Sequence, residues 1–377
     1  MKKAIVSVTN DLVTDNRVDR TCNQLVEEGY EVLLIGRTLK NSLPIPSRNY
    51  TCKRFNLFFE KGPFFYAEYN IRLFIFLIFT KSNLLFSNDL DTLPANFFAN
   101  KIKFRTVLVY DTHELFTEVP ELIHRKKTRS FWLTLEKWMF PKLNFVITVN
   151  QSIADIYYKR YKVPIVVVRN IPNKFKDKNS SSKKELGLPE NKKIIIIQGA
   201  GLNVQRGIEE AVLAMHLINN SILILIGDGD VIPKVKEMVN SQGLQNKVYF
   251  FGKRPYIDMM QFTKISDLGL ALDKPISDNY KYALPNKVFD YIQAEIPMLC
   301  SDLIEIKNIV NKYNVGKCIN AITPEEIASN INSILWDDAL MIKMKSNCKY
   351  AAEIENWENE KLKLSILLKK INSKIIE

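Results

Sequence analysis

The sequence predicts an α/β protein of two tandem, doubly wound domains, and three observations lead there. Short continuous apolar runs alternate with helical patterns through most of the 377 residues, the pattern of parallel strands covered on both faces. The alternation is interrupted at Pro172 and the Lys/Asn/Ser-rich stretch 174–184 (KFKDKNSSSKK), then restarts with the same strand, polar loop and helix. A chain of this length also exceeds one ordinary core and accommodates two.

Taken in order, Ala4–Val8 (AIVSV) is a strand ending in the polar loop Thr9-Asn10-Asp11. A helix from Arg17 to Glu28 stops at Gly29, and Glu31–Ile35 is the second strand. Further strands fall at Leu84–Ser87, Thr106–Tyr110, Phe145–Val149 and Ile165–Arg169, with helices at Leu93–Lys103, Thr128–Phe140 and from Ser152. The most apolar window, Leu73–Phe79 (LFIFLIF), is about a third of a membrane span and reads as a buried or interfacial helix. In the second half, Lys193–Ile197 is a strand, Gly199–Gly207 a glycine-bearing loop and Ile208–Leu217 a helix. Strands follow at Ser221–Ile226, Val248–Phe251, Leu268–Leu272, Met298–Cys300 and Lys317–Ile319. The predicted domains are 1–172 and 173–356, and ligands of such sheets bind beyond the carboxyl ends of the strands.

Apolar residues at 46% and charged residues at 25% exclude a disordered chain. The net charge of +12 is lopsided: residues 1–180 carry 28 Lys/Arg against 17 Asp/Glu, and residues 181–377 carry 25 against 24. The first half is therefore built to meet something anionic. Five scattered cysteines without ligand spacing point to reduced thiols in the cytosol and no structural zinc. Met1-Lys2-Lys3 resembles a signal-peptide opening, but Thr9, Asn10 and Asp11 end the apolar run too early.

Several motifs carry chemistry. In Gly199-Ala200-Gly201-Leu202-Asn203-Val204-Gln205-Arg206-Gly207, between a strand and a helix, small residues let backbone N–H groups approach a phosphate. Arg206 adds a cation, although the spacing is neither the dinucleotide fingerprint nor a P-loop. An ordinary turn is the plainer alternative. Asn88-Asp89-Leu90-Asp91-Thr92 contains D-x-D, which serves either a divalent metal or, the favoured reading, capping of the next helix. His113, in Asp111-Thr112-His113-Glu114 at a strand end, suits transition-state contact or proton transfer as well as a structural role. Leu284–Tyr291 (LPNKVFDY) places Lys287, Asn286 and Asp290 at a helix start, fitting phosphate and ribose or simple helix initiation. Residues 124–140 (HRKKTRSFWLTLEKWMF) combine cations with Trp132 and Trp138, suiting either an anionic membrane surface or a core helix. The basic first half tips that choice towards the membrane, and no nucleic-acid-binding module is present.

Together and in order, these pieces resemble a glycosyltransferase of the large retaining family 4. The carriers are Asn10–Val18, Asn88–Thr92, Tyr110–Phe116, Gln198–Ile208, Ile226–Gly229, Leu284–Tyr291 and Trp357 opening a C-terminal helix. The resemblance implies the GT-B architecture: two tandem Rossmann-like doubly wound domains facing across a cleft, with helix 357–377 crossing back to the first. It implies that Arg206, helped by Lys287, neutralises the donor diphosphate. It also implies that Asp290 takes ribose hydroxyls, that His113 sits near the transferred sugar, and that the loop bearing Asp11 and Asn16 closes over sugar and acceptor. Gly199, Gly201 and Asn286 complete the nucleotide-sugar contacts. Tyr282 stands where the family has the first acid of E-x7-E, and Ala200 or Gly201 where it has an arginine.

The implied activity is sugar transfer from a UDP- or GDP-linked donor to a lipid-linked or polysaccharide acceptor. Retention, no metal and no cofactor are expected, at the inner face of the cytoplasmic membrane. Alternatives are an epimerase or phosphorylase on the same fold, or a non-catalytic protein binding anionic lipid or nucleic acid.

Overall fold

The computed structural model describes residues 2–13, 15–175 and 181–376, with side chains to residue 374. Residues 176–180 of the expected linker lie outside the described residues. The chain divides into two compact units, Met1–Asn170 with Glu360–Glu377, and Ile171–Asn359.

The first unit runs β1 (Lys2–Ser7), α1 (Asn16–Glu27), β2 (Tyr30–Arg37), β3 (Thr51–Phe55), α2 (Gly62–Phe79), β4 (Leu84–Asn88) and α3 (Leu93–Ile102). It continues with β5 (Val107–Thr112), α4 (Pro120–Ile123), α5 (Lys126–Met139), β6 (Phe145–Thr148), α6 (Gln151–Tyr161) and β7 (Ile165–Val167). Its seven strands are parallel, in the order β3-β2-β1-β4-β5-β6-β7. The order reverses between β1 and β4, which lie side by side with Val6 opposite Phe86.

Two elements differ from the sequence reading. β3 (TCKRF) is a half-exposed edge strand, so its side chains lack the apolar run that marks a central strand. The apolar window 73–79 is the last part of an 18-residue helix, α2. Because α2 is apolar nearly all round, it has no periodicity from which to read its length.

The second unit holds β8 (Lys193–Gly199), α7 (Ile208–Ala214), β9 (Ser221–Gly227), α8 (Ile232–Ser241), β10 (Val248–Gly252), α9 (Tyr256–Lys264) and β11 (Leu268–Ala271). It then adds α10 (Asp278–Lys281), α11 (Asn286–Gln293), β12 (Met298–Ser301), α12 (Ile304–Tyr313), β13 (Gly316–Ile319), α13 (Pro324–Leu335) and α14 (Asp338–Ile354). Its six parallel strands are ordered β10-β9-β8-β11-β12-β13, reversing between β8 and β11. The isoleucine run of β8, Ile194–Ile197, shows why a central strand is apolar on both faces. Ile195 and Ile197 enter one buried cluster with Leu223 and Leu225, while Ile194 and Ile196 enter another with Ile222 and Ile224.

The last helix, α15 (Trp357–Ile376), begins in the second unit, where the Trp357 N–H donates to the Pro172 carbonyl at 2.8 Å. From Glu360 onward it belongs to the first. The buried Glu360 carboxylate accepts from the backbone N–H of Arg169 at 2.9 Å and from its guanidinium at 2.8 and 3.1 Å. Leu364, Leu368 and Ile371 complete the anchor as buried side chains.

Candidate functional site

In doubly wound sheets the carboxyl ends at the strand-order reversal form the ligand-binding crevice. In the first unit these are the ends of β1 and β4, with β5 beside them. Asp89, after β4, adopts a left-handed backbone (φ 57°), which aspartate tolerates better than most residues. Its carboxylate accepts the His113 N–H at 2.9 Å and lies 3.3 Å from His113 Nδ1. On the other side of the ring, Nε2 is 3.4 Å from Asp111 Oδ2. Asp111 in turn receives Arg17 Nε at 3.1 Å and Nη2 at 2.7 Å, and Arg17 Nη1 donates to the Val168 carbonyl at 2.8 Å. Arg17 reaches this position from the first turn of α1, where Asp15 caps the helix by accepting from the Val18 N–H.

This row of alternating charges sets the protonation of its members. Burial alone would lower the His113 pKa, but the carboxylates of Asp89 and Asp111 outweigh it and raise the value from 6.5 to about 9. Burial likewise acts against ionised Asp111, yet Arg17 and His113 hold its carboxyl below the usual carboxylate range. Asp91 accepts from the Thr9 hydroxyl at 2.6 Å, and burial followed by the charge of Asp89 raises it to about 7. At neutral pH His113 is thus an imidazolium, a donor and a cation rather than a base. Because its folded pKa exceeds the unfolded value, its stabilisation is complete below about pH 6.5 and is lost as the pH rises through about 9. Denaturation of wild type and His113→Gln on both sides of that window checks this. The stability gap between the two proteins closes at the alkaline end, and a constant gap contradicts the assignment.

The structure also corrects the favoured reading of D-x-D. Neither aspartate caps α3: Thr92 occupies the cap position without a side-chain cap bond, and its hydroxyl donates to the Asn88 carbonyl at 2.7 Å. The two carboxylates serve His113 and Thr9 instead.

In the second unit the reversal lies between β8 and β11. Asp273, just past β11 and buried, draws two cations from separate segments. Arg206 Nη1 donates to Asp273 Oδ1 at 2.8 Å, and Lys287 Nζ stands 3.4 Å from Oδ2. Lys287 is itself buried in the first turn of α11. The Arg206 guanidinium carbon lies 5.4 Å from the centre of the Tyr280 ring. Two cations around one carboxylate leave a positive excess, and among the described residues Arg206 Nε and Asp273 Oδ2 are buried without a hydrogen-bond partner. The uncapped α11 N-terminus adds the positive end of its dipole beside Lys287.

The loop 199–207 is shaped by contact with the loop after β9. Leu202 N–H donates to the Asp228 carbonyl at 2.8 Å, and Val204 N–H to Asp230 Oδ1 at 2.9 Å. A Cβ at Gly229 would stand 2.1 Å from the Leu202 carbonyl oxygen, so this approach requires glycine. At Gly201 a Cβ would meet only the Asn203 side chain, at 3.4 Å. Close backbone approach therefore depends on Gly229 more than on Gly201.

Of the residues singled out in the sequence, Arg206 and Lys287 come together on Asp273. Gly199 ends β8, and Asn286 is exposed at the first position of α11. Asp290 does not join the cation pair: its buried carboxylate accepts from Gln198 Nε2 at 3.1 Å and from the Tyr256 hydroxyl at 2.9 Å. Asp11 lies in the loop after β1, its carboxylate accepting from the Val13 N–H at 3.2 Å and its carbonyl from Arg54 Nε at 2.7 Å. Asn16 is exposed at the start of α1. Sequence reasoning missed Asp273 and Tyr280 and did not single out Arg17. For Asp273 the available signal was its place after the strand that adjoins β8.

Comparison with known proteins decides the class. Residues 178–354 match the family model of glycosyl transferases group 1, and residues 15–173 match that of glycosyltransferase family 4. The chain is a GT-B glycosyltransferase. The enzyme shares its fold with sucrose-phosphate synthase from Thermosynechococcus elongatus at a TM-score of 0.81 and 16% identity, over 99% of this chain and 100% of that one. A glycosyltransferase from Rickettsia africae aligns at 0.75 and 16% identity, over 99% and 98% of the two chains. Anabaena HepE, solved with UDP and glucose, aligns at 0.73 and 15% identity, over 99% and 100%. A search of curated proteins by sequence gives no match.

Proposed function

We propose that the enzyme transfers a sugar from a UDP- or GDP-linked donor to a lipid-linked or polysaccharide acceptor, with retention and without metal assistance. The observation that carries the nucleotide-sugar reading is the pairing of Arg206 and Lys287 on buried Asp273 at the strand-order reversal of the second sheet. Cleaving the bond between sugar and phosphate builds negative charge on the departing nucleoside diphosphate. A preorganised positive excess of this kind stabilises that charge without reorganisation during reaction. The HepE structures with UDP and with UDP-glucose support the same class of donor.

Each unit then has its task. The second holds the diphosphate, with Asp273 fixing the two cations. In the first, His113, held as an imidazolium with its two N–H groups facing Asp89 and Asp111, places its ring beside the transferred sugar. Retention rests on the family resemblance. Incubation with UDP- and GDP-sugars tests the proposal. Release of nucleoside diphosphate from one donor series, accelerated by a glycan or polyprenyl-linked acceptor, is the expected result. Absence of release from both series contradicts it, and donor turnover that ignores acceptor points to the epimerase or phosphorylase alternative.

A further inference from the structure

Helix α2 carries two apolar stripes, and only one is covered. Phe65, Tyr69, Leu73 and Leu77, spaced four apart, are buried in the first unit. Ile71, Ile75 and Phe79 repeat the same spacing on the opposite face and are 59%, 50% and 85% exposed. The neighbouring α3 packs beside α2 and extends this surface with Phe98 and Ile102, and Phe104 just beyond is 90% exposed. A soluble helix ordinarily turns a polar face outward, so a contiguous apolar face of this size marks an interaction site.

Charge identifies the partner. Lys81, Lys101 and Arg105 are exposed along this surface, and the sequence has no acid between Glu68 and Asp89 or between Asp91 and Asp111. At its lower end, where α2 and α3 finish, an open depression is lined by Lys3, Phe79, Lys81, Asn83, Lys103 and Arg105. Lys103 is occupied in capping the carbonyls of Leu77 and Thr80, and Lys3 pairs with Glu31 at 3.2 Å, so Lys81 and Arg105 supply the outward charge. The depression is at the amino ends of β1, β4 and β5, the opposite end of the sheet from His113. Pairing this face with a second copy across a two-fold axis would set the cations against themselves. An anionic bilayer, by contrast, accepts apolar side chains below its headgroups and lysine and arginine at them.

We infer that α2, α3 and the 79–105 depression form a docking surface for anionic phospholipid, with the two helices lying in the plane of the interface. The sequence placed such a surface on residues 124–140. There Trp132, Met139 and Phe140 are core, while Phe131 and Trp138 are 57% and 45% exposed. Trp138 packs against Phe97 and Phe98 with ring centres 5.5 and 5.7 Å apart, so this helix adjoins the α3 edge of the surface. The inference is independent of the donor chemistry.

Vesicle flotation tests it, comparing phosphatidylcholine alone with an equimolar mixture of phosphatidylcholine and phosphatidylglycerol. The wild type is expected to float with the anionic vesicles and to leave them at high salt. Each of Lys81→Gln and Arg105→Gln should weaken partitioning about five-fold. Ile75→Ser combined with Phe79→Ser should abolish it, while melting temperature and hydrolysis of soluble donor stay unchanged. Equal binding to neutral vesicles, no binding at all, or a wild-type dimer dissolved by the serine variants would overturn the inference. Loss of donor hydrolysis in the wild type itself would count against the proposed reaction and leave this surface untouched.

Discussion

Replacing Arg206 or Lys287 by alanine should lower turnover about 10²–10³-fold, the loss typical when one donor to a developing oxyanion is removed. Both side chains meet at Asp273, yet they arrive from a loop after β8 and from the first turn of α11. Their convergence is a product of the fold rather than of one flexible segment. Lys287 is the more consequential of the two because it is buried, where its interaction with a phosphate is screened least. If the cations act chiefly on the departing diphosphate, kcat and kcat/KM fall together. A rise in KM alone would show uniform binding of the donor. Turnover equal to wild type in both variants would remove the pair from the reaction. Thermal unfolding of each variant separates this loss from a structural one, since Lys287→Ala leaves Asp273 with Arg206 as its remaining cation.

The second large effect concerns stability. Arg17→Ala should cost about 3–5 kcal/mol, because it strands the buried Asp111 carboxylate beside His113 without its two-pronged partner. Arg17 also satisfies the Val168 carbonyl, so the same change removes a tie between α1 and the segment after β7. Urea unfolding measures the cost. Pairing Arg17→Met with Asp111→Leu should recover much of it, since no charge is then left unpaired. A single-variant cost below about 1 kcal/mol, the range of exposed ion pairs, would contradict the buried geometry.

Which parts of this protein were legible in its sequence follows from burial. Central strands such as β8 show themselves because both faces are covered and the run Ile194–Ile197 is apolar at every position. The edge strand β3 is half exposed and reads as loop, and α2 hides its extent because both of its faces are apolar. At the candidate site, Arg206 and Lys287 belong to short segments that the sequence offers either as phosphate-binding or as an ordinary turn and a helix start. The structure brings both side chains onto Asp273. Asp273 belongs to no motif and acquires its role only when the sheet order sets β11 beside β8. The same holds for Asp89. Within Asn88–Thr92 it reads as a helix cap, and it turns to His113 because β4 and β5 are neighbours with Asn88 opposite Asp111.

The most direct measurement is the position of the diphosphate in a crystal structure of the enzyme soaked with UDP or GDP. The account places its phosphate oxygens within hydrogen-bond reach of Arg206 and Lys287, at the carboxyl ends of β8 and β11. A nucleotide bound with those two side chains still directed only at Asp273, or bound in the first unit, would contradict it.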